Sequence, residues 1–116
     1  MPPEGSPAWV GMSLEDEQVF FSLVSAGARL GVPVKVEHYA YLPARAAAER
    51  TARSLRHDTF AVTVDRPAKG ERHWLVQAVR SVPLRPAPVE GDIERVSAVA
   101  RANGGYYDGW GAPVRH

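Results

Sequence analysis

The sequence predicts an α+β domain in which helices pack on one face of an antiparallel sheet. Alternating or continuous apolar residues indicate three strands, at residues 34–42, 59–64 and 73–82. Apolar residues at helical spacing indicate three helices, at residues 14–30, 43–55 and 92–103. The order helix, strand, helix, strand, strand, helix is that of a ferredoxin-like split βαβ sandwich with an added N-terminal helix.

Composition limits the chain to one small domain. Its 116 residues are 45% hydrophobic and 23% charged, which is ordinary globular usage and enough for one core. We expect residues 1–12, which are rich in proline, to form a flexible arm, and residues 13–116 to form the single domain. The absence of cysteine excludes disulfides and thiolate metal sites. Since the sequence shows neither a signal peptide nor a membrane-spanning segment, we expect a cytoplasmic protein.

Two of the predicted helices have clear sequence signals. Ser13 begins a motif that resembles a capping box, and Gly31 marks the end of the first helix. The second helix presents a stripe of alanines that suits close packing on a sheet. On its other side, Glu49 lies four residues from both Arg45 and Arg53. Such pairs contribute a few tenths of a kcal/mol each, so we interpret these arginines as a solvated helix face.

The first predicted strand has two chemically different faces. His38 shares one face with Val36 and Ala40, and we expect this face to be buried. Tyr39 and Tyr41 lie on the opposite face. The buried position of His38 predicts a hydrogen-bonded core histidine.

The last third of the chain is divided by prolines and glycines. We expect residues 83–88, with three prolines, to form an extended connector, because proline fixes φ and restricts the residue before it. Asp92 then serves as the N-cap of a helix that runs to Asn103. Gly104 and Gly105 form its C-cap, and a short edge strand can follow them.

No motif of a known catalytic or metal centre occurs in the sequence, so we expect no catalysis, no metal and no cofactor. The four histidines are scattered, and only His38 lies on a face expected to be buried. A pairing of His38 with Asp108 would be geometrically reasonable. Its expected role is to anchor the C-terminal segment to the sheet.

The most distinctive segment combines glycines and rings near the C-terminus, in the string Tyr106-Tyr107-Asp108-Gly109-Trp110. Glycine permits a tight backbone path, and the rings carry large apolar surfaces. The string predicts a turn in which Asp108 bonds nearby backbone amides and Trp110 covers the core. Exposed rings are also typical anchors of protein interfaces, so a structural role and a binding role both stay open.

This string, which follows a glycine-terminated helix, resembles the signature of the ribonuclease E inhibitor family called regulator of ribonuclease activity B. The strand opening Val36-Glu37-His38-Tyr39 resembles the start of that family's domain, and the resemblance covers about residues 34–114. It implies a non-enzymatic protein that binds ribonuclease E, or a related ribonuclease, and modulates RNA cleavage. The partner-binding residues would then be the five residues of the string together with His38 and Tyr39. Members of that family are strongly acidic, whereas this chain has a net charge of +1.

Two other functions stay open from the sequence. Tyr39 and Tyr41 on an open sheet face could stack on RNA bases or on a small ligand. However, the near-neutral charge and the lack of basic, aromatic stretches argue against direct nucleic-acid binding, and any charge-driven binding must come from a local patch. The third function is an enzyme with an unrecognised site near His38 and Asp108. We expect no membrane partner, and a homo-oligomer stays open.

Overall fold

The computed structural model describes residue 18 and residues 32–112. The six elements in the second range are β1 (Pro33–Leu42), α1 (Arg45–His57), β2 (Ala61–Asp65), β3 (Trp74–Pro83), α2 (Pro86–Ala102) and β4 (Tyr106–Gly111). The predicted arm at residues 1–12 lies outside the described residues. So does the predicted N-terminal helix, apart from Gln18, which is helical and exposed.

The four strands form one antiparallel sheet in the order β2-β3-β1-β4. β1 lies in the interior of the sheet, where Tyr39 pairs with Gln77 of β3 and Tyr41 pairs with Tyr106 of β4. The short strand expected after Gly105 is therefore present and forms one edge of the sheet. This strand order, with α1 and α2 as crossovers, confirms the predicted ferredoxin-like α+β fold.

The core lies between the sheet and the two helices, in two adjoining clusters. The larger joins the apolar stripe of α1 to β1, β2 and β3 and includes Leu42, Leu55 and Val76. Alanines at the contact let α1 approach the sheet closely, as its sequence predicts. The smaller cluster lies under the first turns of α2, and its buried members are Val36, Val82, Leu84, Val89 and Trp110. The small cluster therefore holds the last strand against the start of α2.

The predicted start of the last helix is wrong. α2 begins at Pro86, so residues 86–91 are helical, while β3 continues to Pro83. Prolines are compatible with the first turn because the N–H groups there have no partner within the helix. Asp92 is not the N-cap but a buried residue inside α2. Pro43 also lies just outside its helix, since α1 begins at Arg45.

The predicted glycine C-cap of the last helix is confirmed. Gly104 has a φ of +83°, and its N–H donates to the carbonyl of Arg101 over 3.0 Å. The N–H of Gly105 donates to the carbonyl of Ala100 over 2.8 Å, which completes a Schellman motif. A Cβ at Gly105 would overlap the carbonyl oxygen of Tyr41. The two glycines therefore close α2 and bring β4 directly against β1.

Candidate functional site

The distinctive string forms strand β4, whose side chains lie on both faces of the sheet. Tyr106 is 49% exposed on the open face, while Trp110 is 7% exposed and belongs to the core. Tyr107 is half-buried and packs against both core clusters. Asp108 is exposed, and Gly109 has a φ of +147°. The string is a strand, so the expected turn is wrong, whereas the predicted covering of the core by Trp110 is confirmed.

A bulge in β4 explains how the string supplies both faces. Ala40 of β1 pairs with Tyr107, but the preceding Tyr39 pairs with Gly109, so Asp108 has no opposite residue. Side chains in a regular strand alternate, which would place residues 107 and 110 on opposite faces. The extra residue changes this alternation, and Tyr107 and Trp110 both lie on the helix side. Among the described contacts, Asp108 makes no side-chain hydrogen bond to the backbone.

His38 is fully buried, as its position in β1 predicts, and its hydrogen-bond partner lies on the neighbouring strand β4. A hydrogen bond of 2.8 Å joins His38 Nδ1 to the Tyr107 hydroxyl. The pairing with Asp108 that the sequence suggested is not formed, because Asp108 lies on the exposed side of the bulge. The expected anchoring of the C-terminal segment is therefore provided by Tyr107.

The electrostatic environment keeps His38 neutral. Burial, together with the nearby positive charge of Arg80, lowers its pKa from 6.5 to about 4. The Phe60 ring stands edge-on to the imidazole, with ring centres 6.1 Å apart. A fully buried, neutral imidazole suits a structural role, and it is out of reach of a substrate in solvent.

Behind Phe60 lies an ion pair that the sequence analysis missed. The Arg80 guanidinium lies 4.8 Å from the centre of the Phe60 ring and forms a bidentate pair with Asp92, in which the Nε to Oδ2 distance is 3.1 Å. Burial raises the pKa of Asp92, although Arg80 acts to lower it. The alternation of side chains along β3 is the sequence signal that could have revealed this ion pair. Arg80 has the same parity in β3 as the buried Val76 and Ala78, so it needs a carboxylate partner.

The open face of the sheet carries an aromatic cluster, which we define as Tyr41, His73 and Tyr106. The ring centre of Tyr106 lies 5.6 Å from that of Tyr41 and 5.7 Å from that of His73. Tyr39 lies two residues from Tyr41 on the same face, and its hydroxyl donates to Glu37 Oε2 over 2.5 Å. This hydrogen bond, with burial and the charge of Glu37, raises the pKa of Tyr39 to about 12. The contact of His73 with Tyr106 could not be predicted, because no local pattern connects these two residues.

Within residues 32–112 no group of three His, Asp or Glu side chains is placed to hold a metal ion. No helix in the described part of the chain combines the length and apolar character needed to cross a bilayer.

The fold and the site together define a ferredoxin-like α+β domain that presents an aromatic cluster on the open face of its sheet. Residues 13–112 match the model of the family described as Regulator of ribonuclease activity B. The chain belongs to this family, which is one of regulators and not of catalysts, and the resemblance drawn from the string is confirmed. A comparison with curated proteins finds no match.

Proposed function

We propose that this protein is a non-enzymatic regulator that binds ribonuclease E, or a related ribonuclease, in the cytoplasm and inhibits RNA cleavage. Membership of a family that regulates ribonuclease activity supports the class of partner. The observation that supports the open face as the binding surface is the exposure of Tyr106, which is 49% exposed and contacts two other rings. Such a large exposed side chain is a typical anchor of a protein interface.

The aromatic cluster suits a binding role because its backbone is firmly held. Tyr106 begins β4, and two later residues of this strand, Tyr107 and Trp110, pack into the core. A ring on a rigid strand loses little conformational freedom when a partner covers it. Tyr39 and Tyr41 extend the surface along β1. In this proposal, His38, Tyr107 and Trp110 set the position of the strand, and the partner contacts the open face.

The charge of the protein supports an apolar contact more than an electrostatic one. The net charge is +1, so no strong overall field attracts an acidic or a basic partner. We therefore expect charged residues at the margin of the interface to change mainly the rate of association. Neutralising Arg45, Arg50 and Arg53 together should leave ribonuclease binding nearly unchanged.

The first prediction tests the aromatic cluster with a matched pair of variants. Tyr106→Ala should weaken binding to ribonuclease E by about 2 kcal/mol, roughly thirtyfold, because it removes an interface anchor. Val32→Ala truncates another exposed apolar residue, 47% exposed, and should bind like the wild type because Val32 precedes β1, whose opposite end pairs with Tyr106. The measurement is titration of ribonuclease E with each variant, followed by binding and by inhibition of RNA cleavage.

Circular dichroism melting provides the folding control for both variants. Tyr106 is a better probe than Tyr107, since truncation of the half-buried Tyr107 would disturb the core as well as the surface. Equal binding by wild type and Tyr106→Ala would show that the aromatic cluster is not part of the interface. A wild-type protein that neither binds nor inhibits the ribonuclease would refute the proposed partner.

A further inference from the structure

A second surface of the molecule carries a cluster of positive charge. It is a groove of about 510 Å³ between α1 and the ends of β2 and β3, and we call it the arginine groove. Its charged and aromatic lining consists of Arg45, Arg53, Arg56, Arg66, Glu49 and Trp74. The groove lies on the helix side of the domain, because Trp74 and Val64 pack against the larger core cluster. It is therefore separate from the aromatic cluster on the open face.

The arginines of the groove differ in how far they are already engaged. Arg45 pairs with Glu49 over 3.0 Å, and an Nη atom of Arg56 donates to the carbonyl of Val62 over 2.9 Å. Within residues 32–112, neither Arg53 nor Arg66 has a hydrogen-bond or ion-pair partner. Both are exposed. The groove thus has four guanidinium groups against one carboxylate, and two of the four are available to an anion.

The geometry favours an anion that also carries a flat ring. Guanidinium groups bind phosphate oxygens in a bidentate manner, and a half-buried tryptophan beside them offers an apolar surface for stacking. A nucleotide unit supplies a phosphate and a base within one such groove. An acidic peptide supplies carboxylates without a ring for Trp74, and since Glu49 repels carboxylates and phosphates alike, the ring is what distinguishes the two ligands. The same Glu49 carboxylate can accept a hydrogen bond from a base amino group or from a ribose 2′-hydroxyl.

We propose that the arginine groove binds single-stranded RNA, with Arg53 and Arg66 on phosphates and Trp74 against a base. The near-neutral charge of the whole chain does not oppose this, because counterion release depends on the local phosphate contacts. The proposal goes beyond regulation through a protein contact, since it adds a site at which the regulator binds RNA directly. It can be tested without the ribonuclease.

The experiment measures the fluorescence anisotropy of a labelled short oligouridylate titrated with the full chain. The groove variant is Arg53→Gln with Arg66→Gln. The matched control is Arg85→Gln with Arg101→Gln, which removes the same charge from exposed arginines outside the groove. We expect the groove variant to bind at least about tenfold more weakly and the control to bind within about twofold of the wild type. The dependence of log K on log salt should also fall by about 0.7 for each lost phosphate contact.

Two further ligands separate the components of binding. An abasic ribose-phosphate oligomer of the same charge should bind more weakly than oligouridylate, since it lacks the ring for Trp74. Polyglutamate should not displace the RNA at equal charge. Absence of RNA binding by the wild type at low salt would overturn the proposal. So would equal losses in the groove variant and the control, or tighter binding of polyglutamate than of RNA, which would assign the groove to an acidic peptide.

Discussion

The two faces of the sheet use the same string of residues in different ways. On the helix-covered face, Tyr107 contacts His38 and Trp110 completes the smaller core cluster. On the open face, Tyr106 is half exposed, and its described ring contacts are with Tyr41 and His73. One face therefore stabilises the fold, and the other leaves rings accessible on the surface, where we propose that the partner binds.

This difference shows that a distinctive sequence motif need not be a single functional unit. The bulge at Asp108 places Tyr107 and Trp110 on the helix side, whereas a regular strand would place only one of them there. The adjacent Tyr106 and Tyr107, which precede the bulge, lie on opposite faces by ordinary strand alternation and so meet different environments. Their roles can be separated by substitutions that affect one face and leave the other intact.

The largest effect is expected at Trp110. Truncating a buried aromatic residue to Ala typically costs about 3–5 kcal/mol, which is a large share of the roughly 5–15 kcal/mol that stabilises a domain. Because the ring is 7% exposed and packs with Val36, Leu84 and Val89, Trp110→Ala should melt far below the wild type or fail to fold. Trp110→Phe, which keeps an aromatic ring, should lose less. Thermal melting followed by circular dichroism checks this, and an unchanged midpoint would contradict the assignment of Trp110 to the core.

The helix-covered face should also make stability depend on pH through His38. Its pKa is about 4 in the folded protein and 6.5 in the unfolded chain, so the unfolded chain binds the proton first as the pH falls. The contribution of His38 is full above pH 6.5 and is lost as the pH falls toward 4. Its size is about 3 kcal/mol, since one pKa unit corresponds to about 1.4 kcal/mol.

Urea unfolding of wild type and His38→Gln across this pH range measures the effect. Gln cannot titrate but can still hydrogen-bond the Tyr107 hydroxyl, so the variant should lose stability less steeply in acid. Asp92 acts with the opposite sign, because its raised pKa favours proton binding by the folded state, and it does so in both proteins. Parallel stability curves for the two proteins would show that His38 is not the titrating group.

Much of the fold could be predicted because it depends on local periodicity. Alternation in β1 placed His38 in the core, and Gly104 with Gly105 marked the end of α2, since both signals come from backbone geometry. The start of α2 was missed because Pro86 and Pro88 are compatible with either a connector or a first helical turn. Local sequence does not distinguish these two conformations.

The site was harder to predict because its contacts are distant in sequence. Nothing near His38 indicates that Tyr107 is its partner, because this contact depends on how β4 pairs with β1. The contact between His73 and Tyr106 likewise arises from the strand order. The Arg80 pair was in principle predictable, since the parity of β3 puts this charge at an inward position.

The smallest and sharpest test of the two faces is removal of one hydroxyl from each adjacent tyrosine. Tyr107→Phe keeps the ring but leaves the buried His38 Nδ1 without that partner, which should cost about 1–3 kcal/mol. Tyr106→Phe removes a hydroxyl from an exposed ring and should change stability by less than about 0.5 kcal/mol. Urea unfolding of both variants at neutral pH, where His38 is neutral in the folded state, provides the comparison. Equal losses would mean that the hydrogen bond between Tyr107 and His38 does not anchor β4, and that strand pairing with β1 and packing of the rings hold it on the sheet.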